Sequence, residues 1–233
     1  VKLDYTFADT YVAYLHATGG TRLNDFRQQN EESPYWGVIN QMRTSYTPAD
    51  LQVGFKASPL PGLGFHLFGG YRVTKDEIFH LYPDITDTDF PYCYSLLMQE
   101  KAKVGYGGIK AAYGYKDIFD FSVGGTYYGW NVKDEAKVLL YLKPEFVLDA
   151  SARAKVYDEF WISVAYRYEG RVKAGELEKA DAINNLSLSA GYEFFNSLNV
   201  FVRFNNLLNQ DYITEAGYPV QGFNAMAGVS FRF

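Results

Sequence analysis

Apolar residues recur at every second position along most of the chain. Near the C-terminus Ala225, Ala227, Val229, Phe231 and Phe233 alternate with Asn224, Met226, Gly228, Ser230 and Arg232. The same period of two runs through 198–205, 185–194, 161–169, 145–156, 63–73 and 51–57. Side chains two apart share one face of an extended strand, so each run reads as a strand with one apolar and one polar face. Ten strands are predicted, over residues 3–17, 48–58, 63–75, 100–115, 118–131, 137–156, 160–173, 182–194, 198–207 and 221–233, with little sign of helix. In the run 102–115 parity breaks around Gly107-Gly108, where a bulge would restore it.

Alternation of this kind suits a soluble sandwich and a membrane barrel equally. The connections separate the two. Tight turns at Pro59–Gly62, Lys116–Ile118, Tyr157–Glu159 and Phe195–Ser197 take strict turns with longer connections near 18–47, 76–99, 132–136, 174–181 and 208–220. Outer-membrane barrels have this layout, with short periplasmic turns at one rim and longer extracellular loops at the other. Several of the predicted strands also exceed the five or six residues usual in soluble sheets. Aromatics gather at strand ends (Tyr5 and Phe7, Phe119 and Phe121, Phe160 and Trp161, Phe194 and Phe195, Phe231 and Phe233), as interface girdles would. Tyr and Phe are good strand formers anywhere, so the girdles support the assignment without deciding it. The expectation is an all-β, antiparallel transmembrane β-barrel spanning 1–233 as a single domain in the bacterial outer membrane. Ten strands, an even number, would return both termini to the short-turn rim.

Composition narrows the alternatives. No stretch approaches the roughly 18 consecutive apolar residues of a membrane helix, and the mean hydropathy of −0.22 is what alternating strands leave. With 48% hydrophobic and 21% charged residues the chain is not a disordered one. A net charge of −5 excludes a generally basic, nucleic-acid-coating protein. The single cysteine, Cys93, permits neither an intrachain disulfide framework nor a cysteine zinc site. The chain opens directly on strand-like Val1-Lys-Leu-Asp-Tyr-Thr-Phe7, so either a leader has been removed or the sequence is an internal piece of something longer.

Charge is sided. The five long connections hold five basic and fifteen acidic residues, a net −10, which leaves +5 for strands and turns. On the polar parity Lys56, Arg72, Arg153, Lys155, Arg167, Arg171, Arg203 and Arg232 outnumber Glu145, Asp149, Glu169 and Glu193. This fits a modestly basic lumen beneath acidic loops, and it fits equally an interior polar face satisfied by ion pairing.

Catalytic chemistry is sparse. His16, His66 and His80 have no helical metal spacing, and there is no nucleophile elbow. Gly105-Tyr-Gly-Gly108 lacks the third glycine and the helix of a phosphate-binding loop. His80 with Asp84, Asp87 or Asp89 is the one local acid–base candidate, so neither an enzyme nor a cofactor is expected. Asp84, Asp87 and Asp89 are weak candidates for a hard cation, although an acidic run of this kind is more often a solvated loop.

The last forty residues are more specific. Val200-Phe-Val-Arg-Phe-Asn-Asn-Leu-Leu-Asn-Gln-Asp-Tyr212, then Gly217-Tyr-Pro-Val-Gln-Gly222 and Gly228-Val-Ser-Phe-Arg-Phe233, resemble the C-terminal end of TonB-dependent outer-membrane receptors. The segment 46–71 is similar to that family's mid-barrel hairpin, and Leu15–Arg22 to the strand end before it. A departure is Phe223, where the family often has Arg. The resemblance implies the C-terminal portion of a 22-stranded barrel plugged by an N-terminal domain that this chain lacks. It also implies uptake of a scarce bulky nutrient (a metal chelate, cobalamin or a glycan) bound by extracellular loops. The implied partners are outer-membrane lipid, the TonB complex acting through the plug, the barrel assembly machinery and a surface lipoprotein, with the terminal Phe231 and Phe233 serving assembly. A self-contained small barrel with a structural or adhesive role is the alternative. Among loop aromatics, which offer large and stiff contact areas, Tyr35, Trp36, His80, Tyr82, Trp130 and Tyr218 are the expected ligand contacts, Trp130 serving equally as girdle. Leu186, Leu188, Val164, Val200, Val202, Val229 and Phe231 are expected to face lipid, and Arg153, Arg167 and Arg203 the lumen.

Overall fold

The computed structural model describes residues 1–32, 34–35, 37, 43–82, 95–195 and 197–232, the side chains at 28, 31 and 32 excepted. Trp36, Asp84, Asp87, Asp89, Cys93 and Phe233 lie outside the described residues. In chain order the elements are β1 (Lys2–Phe7), β2 (Tyr11–Arg22), helix α1 (Phe26–Glu32), β3 (Ser45–Leu60), β4 (Leu63–Leu81), β5 (Leu96–Tyr115), β6 (Phe119–Asn131), a 3₁₀ helix (Asp134–Leu140), β7 (Pro144–Lys155), β8 (Phe160–Arg171), β9 (Ile183–Phe194), β10 (Leu198–Asn205), β11 (Ile213–Glu215), β12 (Tyr218–Pro219) and β13 (Asn224–Phe231).

Eleven of these strands make one antiparallel sheet, each paired with its neighbour in sequence from β1 to β10 and then with β13. β11 and β12 form a separate hairpin inside the last long connection. The main sheet therefore has one strand more than predicted, because the run 3–17 is itself a hairpin. Its turn holds Ala8 and Asp9 at φ +49° and +55°, and Phe7 pairs with Tyr11. An odd count leaves β1 and β13 both running toward the short-turn rim, so the first strand starts on the long-connection side and the two termini do not share the short-turn rim as ten strands would have it. Among the described residues these two strands are not paired with each other.

Four further expectations are corrected. Gly107 and Gly108 pair continuously with Gly69 and Phe68, so no bulge lies there; the irregularity falls between Thr74 and Glu77 of β4, at Asp76 with φ +54°. The apparent parity break reflects what faces Ala102 and Val104, both buried, as described below. The start of the predicted strand 137–156 is the 3₁₀ helix. The connection 18–47 carries helix α1, while β4 and β5 extend to Leu81 and from Leu96.

Register fixes the faces. Tyr5, Ala13, Phe55, Leu67, Ile109, Gly125, Leu148 and Tyr168 stand opposite one another strand by strand. Val164, Leu188, Phe204 and Ala225 continue the same face. That apolar face is the exposed one: Val53, Leu67, Ile109 and Val229 each keep more than half of their surface open. The buried apolar residues instead cluster at the long-connection rim, around Phe79, Ala102, Ala136, Leu139, Leu140 and Ala174. A wall that is apolar outside, with its largest buried cluster in its loops, is arranged for a hydrocarbon surround rather than water.

Candidate functional site

The described parts of the long connections fold over one end of the wall. In the 3₁₀ helix Ala136, Leu139 and Leu140 fall on one side, and all three are buried against Phe79 at the end of β4 and Ala102 on β5. Trp130 closes the cluster, edge-on to Phe79 with ring centroids 6.4 Å apart. Its indole N–H donates to the Pro144 carbonyl at 2.8 Å. This cap is why the inner parity of β5 turns apolar at Ala102 and Val104. Burial, reinforced by the Asp181 carboxylate and opposed by Arg171, pushes the Tyr141 phenol above its usual value.

The β11–β12 hairpin is braced from both sides. Asn206 and Asn209 adopt φ of +48°, a left-handed conformation that asparagine tolerates. Asn206 accepts from the Gln210 N–H and donates to the carbonyls of Gln210 and Gln221, while Asn209 accepts from the Phe223 N–H. The Asn-Leu-Leu-Asn motif thus stitches the two arms of the last connection together. Arg171, buried at the end of β8, donates to the Ile213 carbonyl at 3.1 Å, and its other contacts are the Leu142 carbonyl and Glu169. Glu169 is shared with Arg167 at 2.6 Å, and Arg167 also reaches Asp149 at 2.9 Å.

From this anchor the hairpin reaches across the mouth. Tyr82 donates its hydroxyl to Glu215 at 3.0 Å, although β4 and β10 stand six places apart in the sheet. Tyr218 stacks on Tyr35 with centroids 3.8 Å apart and planes within 11°. The backbone of Tyr35 accepts from the Ser95 N–H at 2.8 Å, and Ser95 Oγ shares a 2.8 Å hydrogen bond with His80 Nδ1. His80 in turn stacks on Tyr82 at 6.4 Å, and Tyr141 meets Tyr82 edge-on at 6.1 Å. Tyr218, Tyr35, Ser95, His80, Tyr82 and Glu215 therefore form a closed circuit. Contacts between elements so far apart in the sheet require it to curl toward this side, which makes the polar face the inner one.

Of the expected contacts, the structure brings Tyr35, Tyr82 and Tyr218 together at the mouth. His80 is buried beneath them, and Trp130 packs in the cap some way along the rim. Glu215, Ser95 and Tyr141 complete the arrangement and were not singled out from sequence, whereas Arg171, which anchors the hairpin, was read there only as one of the polar-parity cations. Nothing local to Glu215 says which distant tyrosine it meets.

Below the rim, register sets Arg153 and Arg203 in one row through Ser163 and Ser189, and Arg167 opposite Asp149. All three lie on the inner face, opposite to Leu186, Leu188, Val164, Val200, Val202, Val229 and Phe231. The inner cations are satisfied in two ways. Arg167 is ion-paired, whereas Arg153 lies 4.5 Å over the Trp161 ring, Lys56 5.5 Å over Tyr14 and Lys110 5.5 Å over Phe68. Both readings of the charge pattern thus hold in different rows. Among the described residues no three His, Cys, Asp or Glu side chains are placed to share a metal ion.

Comparison with solved structures decides the architecture. The copper transporter OprC aligns over 99% of this chain and 39% of its own, with TM-score 0.69 at 15% identity. The pyoverdine outer-membrane receptor FpvA from Pseudomonas aeruginosa aligns over 100% and 35%, with TM-score 0.69 at 18% identity. The ferric-catecholate import receptor Fiu from E. coli aligns over 100% and 34%, with TM-score 0.69 at 15% identity. The fold is that of the barrel wall shared by TonB-dependent outer-membrane receptors. No family model and no curated protein matches the sequence. The wall described here spans about a third of the length of these receptors. The exposed face carries Leu, Val, Phe and Tyr rather than charge, as the hydrocarbon-facing side of such a wall does.

Proposed function

We propose that the chain is part of the wall and mouth of an outer-membrane receptor that takes up a scarce, bulky nutrient, with a metal chelate the first candidate. The observation that carries this reading is the tyrosine circuit: three phenol rings and a carboxylate gathered by connections from opposite sides of one wall. Aromatic rings give a large contact area with few rotamers to immobilise, which is how binding sites gain affinity. Copper, pyoverdine and ferric catecholate are the cargoes in the names of the three similar receptors, and they favour a chelate over cobalamin or a glycan. Uptake in the complete protein is driven by the TonB complex acting through a plug domain, and the barrel assembly machinery inserts the wall. The protein acts by binding and translocation, without catalysis of its own.

Strand direction weighs against the self-contained small barrel. Closing this sheet on itself would set β1 and β13 side by side and parallel, whereas bacterial barrels of this class are antiparallel with even strand numbers. An odd number of further strands restores antiparallel closure, and unpaired edges in lipid cost several kcal/mol per backbone group.

The test uses the complete receptor in its own outer membrane under iron limitation, with radiolabelled ferric catecholate and ferric pyoverdine as probes. The double variant Tyr35→Ala/Tyr218→Ala should cut uptake of one probe about tenfold or more while the amount of assembled barrel is unchanged. Uptake of both chelates, of cobalamin and of glycans that is indifferent to deletion of the receptor would contradict the reading.

A further inference from the structure

The outer face departs from its apolar composition at one place. Register carries that face along β4 through Leu67, Tyr71 and Val73, and opposite them along β5 through Ile109, Gly105 and Lys103. Lys101 lies two residues beyond Lys103 and Lys75 two beyond Val73, so both share the face. Register places no other charged residue of the eleven strands there. Lys75 and Lys101 are exposed and Lys103 is half-buried. None of the three joins an ion pair among the described residues, and neither does Asp76 at the neighbouring bulge. Lys75 rests over the Tyr46 ring instead, 5.8 Å from its centroid.

Their depth follows from strand geometry. At the short-turn rim Tyr113 meets Phe119 with ring centroids 6.4 Å apart. A barrel strand rises about 3.3 Å per residue and is tilted about 40°, so it climbs roughly 2.5 Å per residue. The stretch of β5 from Tyr113 to Lys103 therefore climbs about 25 Å, the height of the apolar band of an outer-membrane barrel. The lysines stand where that band ends on the long-connection side, the level at which a cation on the lipid face ceases to be costly. Beneath them the face is shallow. Tyr71 and Tyr127 are both exposed, and they stand opposite Gly105 and Gly107 of β5, one on each side of that strand. A Cβ at Gly105 would meet only the edge of the Tyr71 ring, at 3.9 Å. An apolar furrow thus runs down β5 from Lys103 between two tyrosines.

We propose that Lys75, Lys101 and Lys103 bind the phosphate groups of an outer-leaflet lipid, one of whose acyl chains lies in the furrow between Tyr71 and Tyr127. The occupant is a lipid because the face is the hydrocarbon-facing one and the charge sits at headgroup level, where clustered basic residues attract anionic headgroups. Completing the barrel does not cover this patch. β4, β5 and β6 have neighbours on both sides in the sheet, and the barrel's interior lies on the opposite face. The proposal rests on the reading of this wall as an outer-membrane one, but not on transport.

Bisphosphorylated lipid A is titrated into the complete receptor in non-ionic detergent micelles, and bound lipid is counted by native mass spectrometry. The receptor should hold it at least tenfold more tightly than the same lipid stripped of its phosphates. Lys75→Gln/Lys101→Gln/Lys103→Gln should abolish that preference, the matching triple arginine variant should keep it, and Lys110→Gln, on the inner face, should leave it unchanged. Gly105→Val, which fills the furrow with the lysines in place, should weaken the lipid at least threefold. Should the triple glutamine variant not assemble, Lys103→Gln alone must weaken binding at least threefold. Equal binding of phosphorylated and stripped lipid, or an undiminished preference in the glutamine variants, overturns the proposal. So does displacement of the lipid by equimolar inorganic phosphate, which would make the patch a site for a free anion. A receptor that binds the lipid here yet takes up no nutrient would refute the transport reading alone.

Discussion

Val164 and Ala165 are neighbours on β8, both exposed, and they face opposite sides of the wall. Val164 stands opposite Ala152 and Leu188, whereas Ala165 stands opposite Ser151 and Ser187. In a soluble sheet, arginine at either exposed position would cost within about 0.5 kcal/mol of nothing. In a lipid-facing wall the costs separate. Arginine at position 164 enters the hydrocarbon, at about 2–4 kcal/mol near the midplane, with little compensating loss of packing because valine is already 39% exposed there. Arginine at position 165 enters a polar recess bounded by Asp149, Ser151 and Asn185. The folding equilibrium should therefore fall about 30- to 1,000-fold for Val164→Arg and by less than about threefold for Ala165→Arg. Urea titration of the complete barrel in phosphatidylcholine vesicles, followed by tryptophan fluorescence, measures both. Equal destabilisation by the two substitutions, or the larger cost at 165, would refute the assignment of faces.

Two further predictions concern the inner wall. A Cβ at Gly191 would sit 2.6 Å from Cε2 and Cζ2 of Trp161, so Gly191→Ala should cost about 1–3 kcal/mol through overpacking; the penalty should largely vanish when Trp161→Ala is made with it, as a double-mutant cycle by urea titration would report. Arg171→Met removes the tie between β8 and the hairpin but leaves Glu169 paired with Arg167. The cost should sit near the lower end of the 3–5 kcal/mol for a broken buried pair, and limited proteolysis should show faster cleavage within 206–223 with the wall intact.

Much of the wall was legible because its pattern is local. Leu67, Ile109 and Val229 announce their face by parity alone, and Pro59–Gly62 announces a turn by its residues. The first hairpin was missed for a geometric reason. Its connection, Ala8-Asp9-Thr10, has three residues, so Phe7 and Tyr11 keep the same parity and the alternation runs unbroken through the turn. Neither Ala8 nor Asp9 carries the glycine or asparagine signal that usually marks φ above zero. Val138-Leu139-Leu140-Tyr141 read as strand because a short apolar run looks alike in either state; its burial against Phe79 decides for the 3₁₀ helix. The mouth was half legible. Tyr35, Tyr82 and Tyr218 stood out as loop aromatics, but Glu215 and Ser95 acquire their places only when the hairpin crosses six strands, and no sequence period encodes a contact of that range.

The central claim is that one face of this wall meets lipid and the other the polar interior of the barrel. Single cysteines placed in turn at positions 65–72 of β4, in the complete receptor with Cys93→Ser, test it directly in intact outer membranes. A membrane-impermeant maleimide should label 66, 68 and 72 and spare 65, 67, 69 and 71, which lipid-soluble maleimide should reach; Gly70 is kept, because a Cβ there would meet Tyr106 and the Leu51 carbonyl. Labelling without a period of two, or with the opposite phase, would contradict the account.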